Sequence, residues 1–385
     1  MNNSARAPRV AVVGGGLGGL VCARVLQNHG RSVTVFEREA SPGDRPQGGA
    51  LDLHADTGQV ALRAAGLLDR FRALARPEGQ EQRVVDPVTA ALVGHQRPAE
   101  GEEVRPEIDR GQLRGLLLDS LDAGTVRWGR AVSGVDLLDD GTRRLRFADG
   151  TTEDVDLVVG ADGAWSRVRP AVSAAEPCYT GVTFVEFGFD DCDTRHADLA
   201  ALVGDGTMMA KTGGKGIAAQ RNSNGHIRGY AMVRVPEDWH RAAGLSLADT
   251  PAVRRYLLAT YEGWAEPLLD FFRRNDGGFV NRPLFVLPAP HAWDHVPGVT
   301  LLGDAAHLMP PLGVGANLAL LDGVDLATAL VTEPDVDAAV RAYESVMAPR
   351  SAEIARACLE GLDHFLPEDE APETVPSFRE FLASR

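Results

Sequence analysis

A β-branched run, Val10-Ala-Val-Val13, passes directly into Gly14-Gly-Gly16, and a segment with apolar residues at Leu20, Val21, Val25 and Leu26 begins at Leu17. The run predicts a buried parallel strand and the spacing predicts a helix ended by Gly30. Between them stands Gly14-x-Gly16-x-x-Gly19. The three glycines do different things. Gly14 permits a tight turn, Gly16 lets backbone approach a pyrophosphate, and Gly19 lets helix pack closely on strand. The helix N-terminus, opening at Leu17, offers free N–H groups and a positive dipole end to phosphates. Ser32 to Phe36 alternates into a second strand, and Glu37 closes it, 37 − 14 = 23 residues after Gly14. An acid at that place accepts hydrogen bonds from an adenosine ribose. Strand, glycines, helix and acid together predict an α/β dinucleotide-binding fold.

Length and composition exclude other classes. A chain of 385 residues with 44% apolar and 24% charged residues is neither disordered nor fibrous, and its length predicts two or three domains. A formal net charge of −15 repels phosphate backbones and anionic lipid, so neither nucleic acid nor membrane is an expected partner. Cys22, Cys178, Cys192 and Cys358 show no Cys-x-x-Cys spacing. A zinc ribbon, a redox pair and a secreted disulfide framework are therefore not expected, no metal site is read, and the expected location is cytoplasmic. Five glycines between Val10 and Ala23 argue against a signal peptide. The apolar stretch from Asn317 to Val331 is interrupted by Asp322 and Asp325, so no membrane span is expected.

Periodicity divides the rest. Asp52 to Leu68 reads as helix, and Arg110 to Leu121 as a stronger one, with Leu113, Leu116, Leu117 and Leu121 on one face. Val155 to Val159 is a buried strand closed by Gly160-Ala-Asp162-Gly163. Residues 178 to 239 turn β-rich, which predicts an inserted substrate domain. Val299 to Leu302 is another buried strand, with helices after it. The expected organisation is a Rossmann-like cofactor-binding domain over 1–72, 98–173 and 273–335. The substrate domain takes 73–97 and 174–272, a C-terminal helix 336–366, and an acidic tail 367–385.

Two later motifs choose the cofactor. Gly303-Asp304 follows a strand, where an aspartate can accept a hydrogen bond from a ribityl hydroxyl, a group NAD lacks. Pro310-Pro311-Leu-Gly313-Val-Gly315-Ala316-Asn317 then opens a helix. Its glycines allow a planar ring to approach, and its N-terminus can stabilise negative charge on a reduced flavin. His307 reads as a helix-start histidine satisfied by backbone. Glu186 with Arg228, taken without context, reads as a surface ion pair.

The three motifs together resemble the class A flavoprotein monooxygenases of the p-hydroxybenzoate hydroxylase type. The chain is more closely similar to TetX-like tetracycline-modifying flavoenzymes, through Gly48 to His54, Ala65 to Leu68, Pro106 to Arg114 and Gly303 to Pro311. The resemblance implies FAD held by Gly14, Gly16, Leu17, Gly19, Glu37, Arg38, Arg114, Asp162, Gly303, Asp304, Gly313, Gly315, Ala316 and Asn317. It places Arg45, Asp52 and Arg110 near the isoalloxazine or its linker; Arg110 and the cofactor-binding Pro311 are read as the catalytic groups near the reacting flavin edge. It also implies NADPH or NADH as a transient co-substrate, since no second Gly-x-Gly-x-x-Gly follows a strand. The implied reaction inserts one oxygen atom from O₂, through a C4a-(hydro)peroxyflavin, into a planar, partly apolar molecule. The alternatives are a geranylgeranyl-reductase-like flavoprotein and a non-catalytic FAD-binding module. The substrate residues of the TetX-like enzymes, a Gln, an Arg and a His, correspond to Glu186, Thr207 and Arg228, which implies a substrate other than tetracycline. A monomer or weak homo-oligomer is expected.

Overall fold

The computed structural model describes residues 7–44, 48–99 and 104–367. Arg45, and the tail beyond Pro367, lie outside them. Val10–Val13 is the middle strand of a five-stranded parallel sheet. It pairs with Leu157–Gly160 on one side and Val33–Phe36 on the other, and Val299–Leu301 and Val126–Arg127 form the edges. The three inner strands carry near-continuous apolar runs because helices cover the sheet. Val10 to Val13 and Leu157 to Val159 are all buried.

The helix Leu17–Asn28 crosses the helix Gly315–Thr332 through glycines. A Cβ on Gly18 would stand 2.5 Å from the Ala319 carbonyl oxygen, and one on Gly323 would collide with the Gly18 carbonyl. By length and composition Gly315–Thr332 would suffice to cross a membrane. Here 50% of it is buried inside the protein, and its two aspartates pair with Arg350.

A second, seven-stranded sheet is ordered Val280–Val286, Cys178–Phe189, His226–Arg234, Lys215–Asn222, Thr207–Thr212, Gln82–Val85, Leu92–Gln96. All neighbours are antiparallel except Thr207–Thr212 with Gln82–Val85. One face holds Val185, Phe187, Ile217, Ala231 and Val233 against the helices Thr250–Thr260 and Glu266–Arg273. The other holds Phe184, Met209, Ala218, Tyr230 and Met232, together with Leu362 and Phe365 of the helix Val336–Phe365. That helix, 30 residues long, also buries Val340, Tyr343 and Met347 in the first core, so it spans both.

Three expectations change. Val280–Val286, read with the cofactor unit, pairs with Cys178–Phe189, because a β-strand goes where an open edge can take its hydrogen bonds. Asp52 to Leu68 is not one helix but a strand Ala50–Asp52 and two helices, Gly58–Ala64 and Leu68–Arg72. Gly66, at φ +74, separates the two helices. Ala252 to Leu269, which reads in the sequence as one helix, likewise divides, at Tyr261 to Ala265.

Gly323→Ala tests the helix crossing. Alanine gains about 1 kcal/mol of helix propensity over glycine, but here it forces two backbones apart. A net loss of about 1–3 kcal/mol is expected, read as a lower urea midpoint with unchanged slope.

Candidate active site

The carboxyl ends of the parallel strands gather the motifs. Gly14, at φ +108, leaves no room for a side chain against Ala161, so the first glycine loop and the Gly160–Gly163 loop touch backbone to backbone. Gly14 N–H donates to the Phe36 carbonyl at 2.8 Å. A Cβ on Gly16 would meet nothing within 4 Å. No side chain caps the helix that follows, and no acid stands in its first turn. Open space thus fronts an uncapped helix N-terminus, as a pyrophosphate requires.

Glu37 is buried, with Oε2 accepting from Gly15 N–H at 2.6 Å and Oε1 from Glu39 N–H at 3.0 Å. Arg114, also buried, donates through Nε to the Gly15 carbonyl at 2.9 Å and pairs with Glu39 at 2.9 Å. It therefore shapes the glycine loop from behind. Arg38 points into solvent. Asp162 accepts from Arg167 N–H at 2.6 Å, while its Oδ1 is buried without a partner. Burial raises the Asp162 pKa against the hydrogen bonds of Ser166 and Arg167.

Asp304 starts the short helix Asp304–His307 and is exposed. A Cβ on Gly315 would lie 4.0 Å from its Oδ1, so the Gly303-Asp304 turn and the N-terminus of Gly315–Thr332 flank one space. Arg169 donates to the Ala305 carbonyl at 2.8 Å and the Ala164 carbonyl at 2.8 Å, clamping this turn to the Gly160–Gly163 loop. His307 corrects the expectation of a backbone partner. Its Nε2 meets Asp322 Oδ2 at 2.5 Å, and that oxygen also accepts from Gly303 N–H at 3.0 Å. Asp322 Oδ1 accepts from Arg350 at 2.8 Å. Burial, the largest single influence, lowers the His307 pKa, but the Asp322 charge and hydrogen bond and the Asp304 charge together outweigh it and raise it. Burial would raise that of Asp322, and His307, Gly303 N–H and Arg350 together lower it.

Asn317 has no side-chain capacity left for a ligand. Its Oδ1 accepts from His54 and Gly58 N–H at 2.9 and 3.2 Å, and its Nδ2 donates to the Asp52 and Gly313 carbonyls at 2.9 and 3.1 Å. Those four bonds exhaust an amide, leaving only the backbone of Gly315, Ala316 and Asn317. The Asp52 carboxylate lies by Gly313, where a Cβ would be 3.6 Å away. Arg110 is exposed at the start of Arg110–Leu118, and a Cβ on Gly48 would reach its Cδ at 3.7 Å. Pro311 and Gly313 are exposed on the same loop.

Across from this loop stands the free face of the seven-stranded sheet. Glu186 pairs with Arg228 at 3.0 Å and with Arg282 at 3.1 Å. Register puts Glu186 opposite Tyr230, and Gln220 opposite both Arg228 and Thr207. Thr207 is therefore two strands, about 10 Å, from Arg228, and these two are not neighbours. Sequence reasoning missed Tyr230, Gln220 and Arg282. Strict alternation along His226–Arg234 would have placed Tyr230 beside Arg228, but nothing local brings Arg282 to Glu186.

The comparisons match this geometry. A family model described as "FAD binding domain" fits residues 8–260 and 294–357. Monooxygenase asqM of Emericella nidulans is 31% identical over 84% of this chain and 83% of its own length. Among solved structures, Klebsiella pneumoniae HpxO complexed with FAD and uric acid matches with TM-score 0.79 at 22% identity, covering 98% of this chain and 91% of that one. Tetracycline destructase Tet(55) matches with TM-score 0.74 at 21% identity, covering 99% and 96%.

Asp322→Asn tests the buried pair behind Gly303. The depressed Asp322 pKa gives stability present above the usual value near 3.9 and lost as pH falls through the lowered one. The raised His307 pKa gives stability full below about 6.5 and lost as pH rises through the raised one. Removing the charge should cost about 3–5 kcal/mol. The gap between wild type and variant in urea titrations should be widest near pH 5–6 and narrow on both sides.

Proposed function

Since the chain belongs to the FAD binding domain family and is an FAD-dependent monooxygenase, we propose that it consumes NAD(P)H and O₂ to place one oxygen atom in a planar, partly apolar organic molecule. One observation carries the substrate half of this reading. Leu312, on the loop between Pro311 and Gly313, belongs to a single apolar cluster with Phe184, Met209, Ala218 and Tyr230 of the second sheet. A flat, partly apolar molecule suits a cleft with such a wall. In this reading the two sheets are the two working units, one for cofactor and one for substrate.

The residues present fit FAD. The open ground before Gly16 suits the pyrophosphate, and Glu37 the adenosine ribose. Asp304 would take a ribityl hydroxyl, and the backbone N–H groups of Gly315 to Asn317 would face the ring. Bound there, FAD would supply the redox chemistry, namely hydride acceptance and O₂ activation. The protein's part is to bind, orient and exclude water. Arg110 and Pro311 would stand at the reacting edge. Asp52, fixed through Asn317, would hold the Gly313 turn. Tetracycline is not the expected substrate: Glu186 only accepts hydrogen bonds, and both its oxygens are taken by arginines.

Purified protein should be yellow and release FAD on denaturation, and Glu37→Ala should weaken retention roughly 10- to 150-fold. Turnover under ¹⁸O₂ with NADPH should add one labelled oxygen to a planar aromatic or polycyclic compound. A product reduced at a double bond, with no label, would replace this reading with the reductase one.

A further inference from the structure

Resting on the monooxygenase reading, we infer that the substrate carries an acidic oxygen, a carboxylate or an ionised phenol or enol, held by Arg228 and Tyr230. The formal charges around Glu186 do not cancel. Glu186 contributes −1 and meets two guanidiniums, Arg228 and Arg282, leaving +1. Glu107, on the strand Glu107–Asp109, is engaged by Gln220 at 3.3 Å and by Arg76 at 3.5 Å.

Arg228 keeps one buried donor unmet. One nitrogen, Nη1, donates to Glu186, while Nε is buried with no hydrogen-bond partner. The Arg228 and Glu186 side chains are 15% and 16% exposed, so little water reaches either. A guanidinium presents its donors in a fixed planar fork. With Glu186 fixing one branch, the remaining edge is held in place for a second acceptor. A buried charged donor lacking an acceptor costs free energy that an anionic ligand relieves.

Tyr230 sits beside it. Burial raises its phenol pKa, the Glu186 charge adds to that, and Arg228 opposes it through charge and a hydrogen bond. The phenol therefore remains a donor. Arg228 and Tyr230 converge on one point of backbone: a Cβ on Gly49 would lie 3.3 Å from Arg228 Cδ and 3.7 Å from the Tyr230 oxygen. From there Ala50–Asp52 runs to the Asp52 carboxylate beside Gly313. Gly49 to Asp52 spans about 10 Å at strand rise. An acid anchored at Arg228 and Tyr230 thus leaves the body of a flat molecule along the apolar wall of Leu312 and Phe184, with its far end toward the Gly313 loop. Gln220, whose Oε1 would lie 3.2 Å from the same Cβ, closes the side toward Thr207.

The test titrates FAD-loaded enzyme with matched pairs: benzoate and benzamide, 2-naphthoate and 2-naphthamide, anthracene-2-carboxylate and its amide. Binding is followed in the visible flavin spectrum. At least one acid should bind about 10-fold or more tightly than its amide. Arg228→Gln should abolish that preference, and Tyr230→Phe should reduce it several-fold. Glu186→Gln should strengthen acid binding, because Arg228 then loses its counter-charge. A merely damaged fold cannot produce that gain. Amides binding as well as acids throughout, no binding by any acid, or a preference that survives Arg228→Gln would each overturn the inference. A neutral compound that is oxygenated while the acids are ignored overturns it and leaves the monooxygenase reading standing. Acids that bind with full preference, in an enzyme that incorporates no ¹⁸O into any compound, sink the monooxygenase reading alone.

Discussion

Asp322 is a fully buried carboxylate, and the cofactor side of the molecule is arranged around the cost of keeping it there. Three donors from two parts of the chain converge on it: Gly303 N–H and His307 from one turn, and Arg350 from the helix Val336–Phe365. An isolated charge so far from water would be prohibitive; paired and hydrogen-bonded it becomes a fixed joint. The joint matters because of what it fixes. Gly303 lies between a strand end and the exposed Asp304, so its N–H bond to Asp322 sets the turn that presents Asp304. The same aspartate lies on the helix whose N-terminus faces that turn. Arg169 extends the fastening to the Gly160–Gly163 loop, and that loop touches Gly14. One charge network therefore keeps three separate loops in register on the parallel sheet.

Substrate recognition follows a different logic. The second sheet devotes one face wholly to packing and leaves the other to meet the cofactor side. Its polar groups are cross-strand neighbours: Glu186 opposite Tyr230, and Arg228 opposite Gln220. Side chains at such spacing orient one another. Glu81 shows what the same sheet does with a carboxylate used for structure alone. Burial would raise its pKa, yet the Asp205 N–H, His95, Arg97 and Arg83 hold it down to about 2. Four donors meet that one carboxylate. The Arg228 cluster, by contrast, retains an unused donor.

Legibility in the sequence tracks distance along the chain. Gly14, Gly16, Gly19 and Glu37 fall within one βαβ unit, where spacing alone fixes geometry, and the strands and the helix were readable from it. Gly303, Asp304 and Gly313 to Asn317 stand out as a turn after a strand and a loop opening a helix, but what each does is only partly evident in the sequence. Asn317 proved to be a staple whose amide is saturated. Asp322 was noticed merely as a polar interruption of an apolar run, since its partners His307 and Arg350 are separated from it by helix and loop. Arg282 was invisible as a site residue, because no local pattern says which strand takes the outer edge beside Cys178–Phe189. Pairing of strands remote in sequence is a property of the whole chain, and single-segment periodicity does not carry it.

The order in which the strands are made has a consequence for synthesis. Val10–Val13 emerges first, yet its sheet gains the last strand only with Val299–Leu301. The seven-stranded sheet closes only with Val280–Val286. Neither unit can finish before the other has nearly done so, although a domain boundary would ordinarily let the first half fold on the ribosome while the second is being translated. Both sheets therefore have open edges for most of translation, and those edges invite mispairing. The glycine loop becomes a complete cradle only when the final third of the chain has arrived.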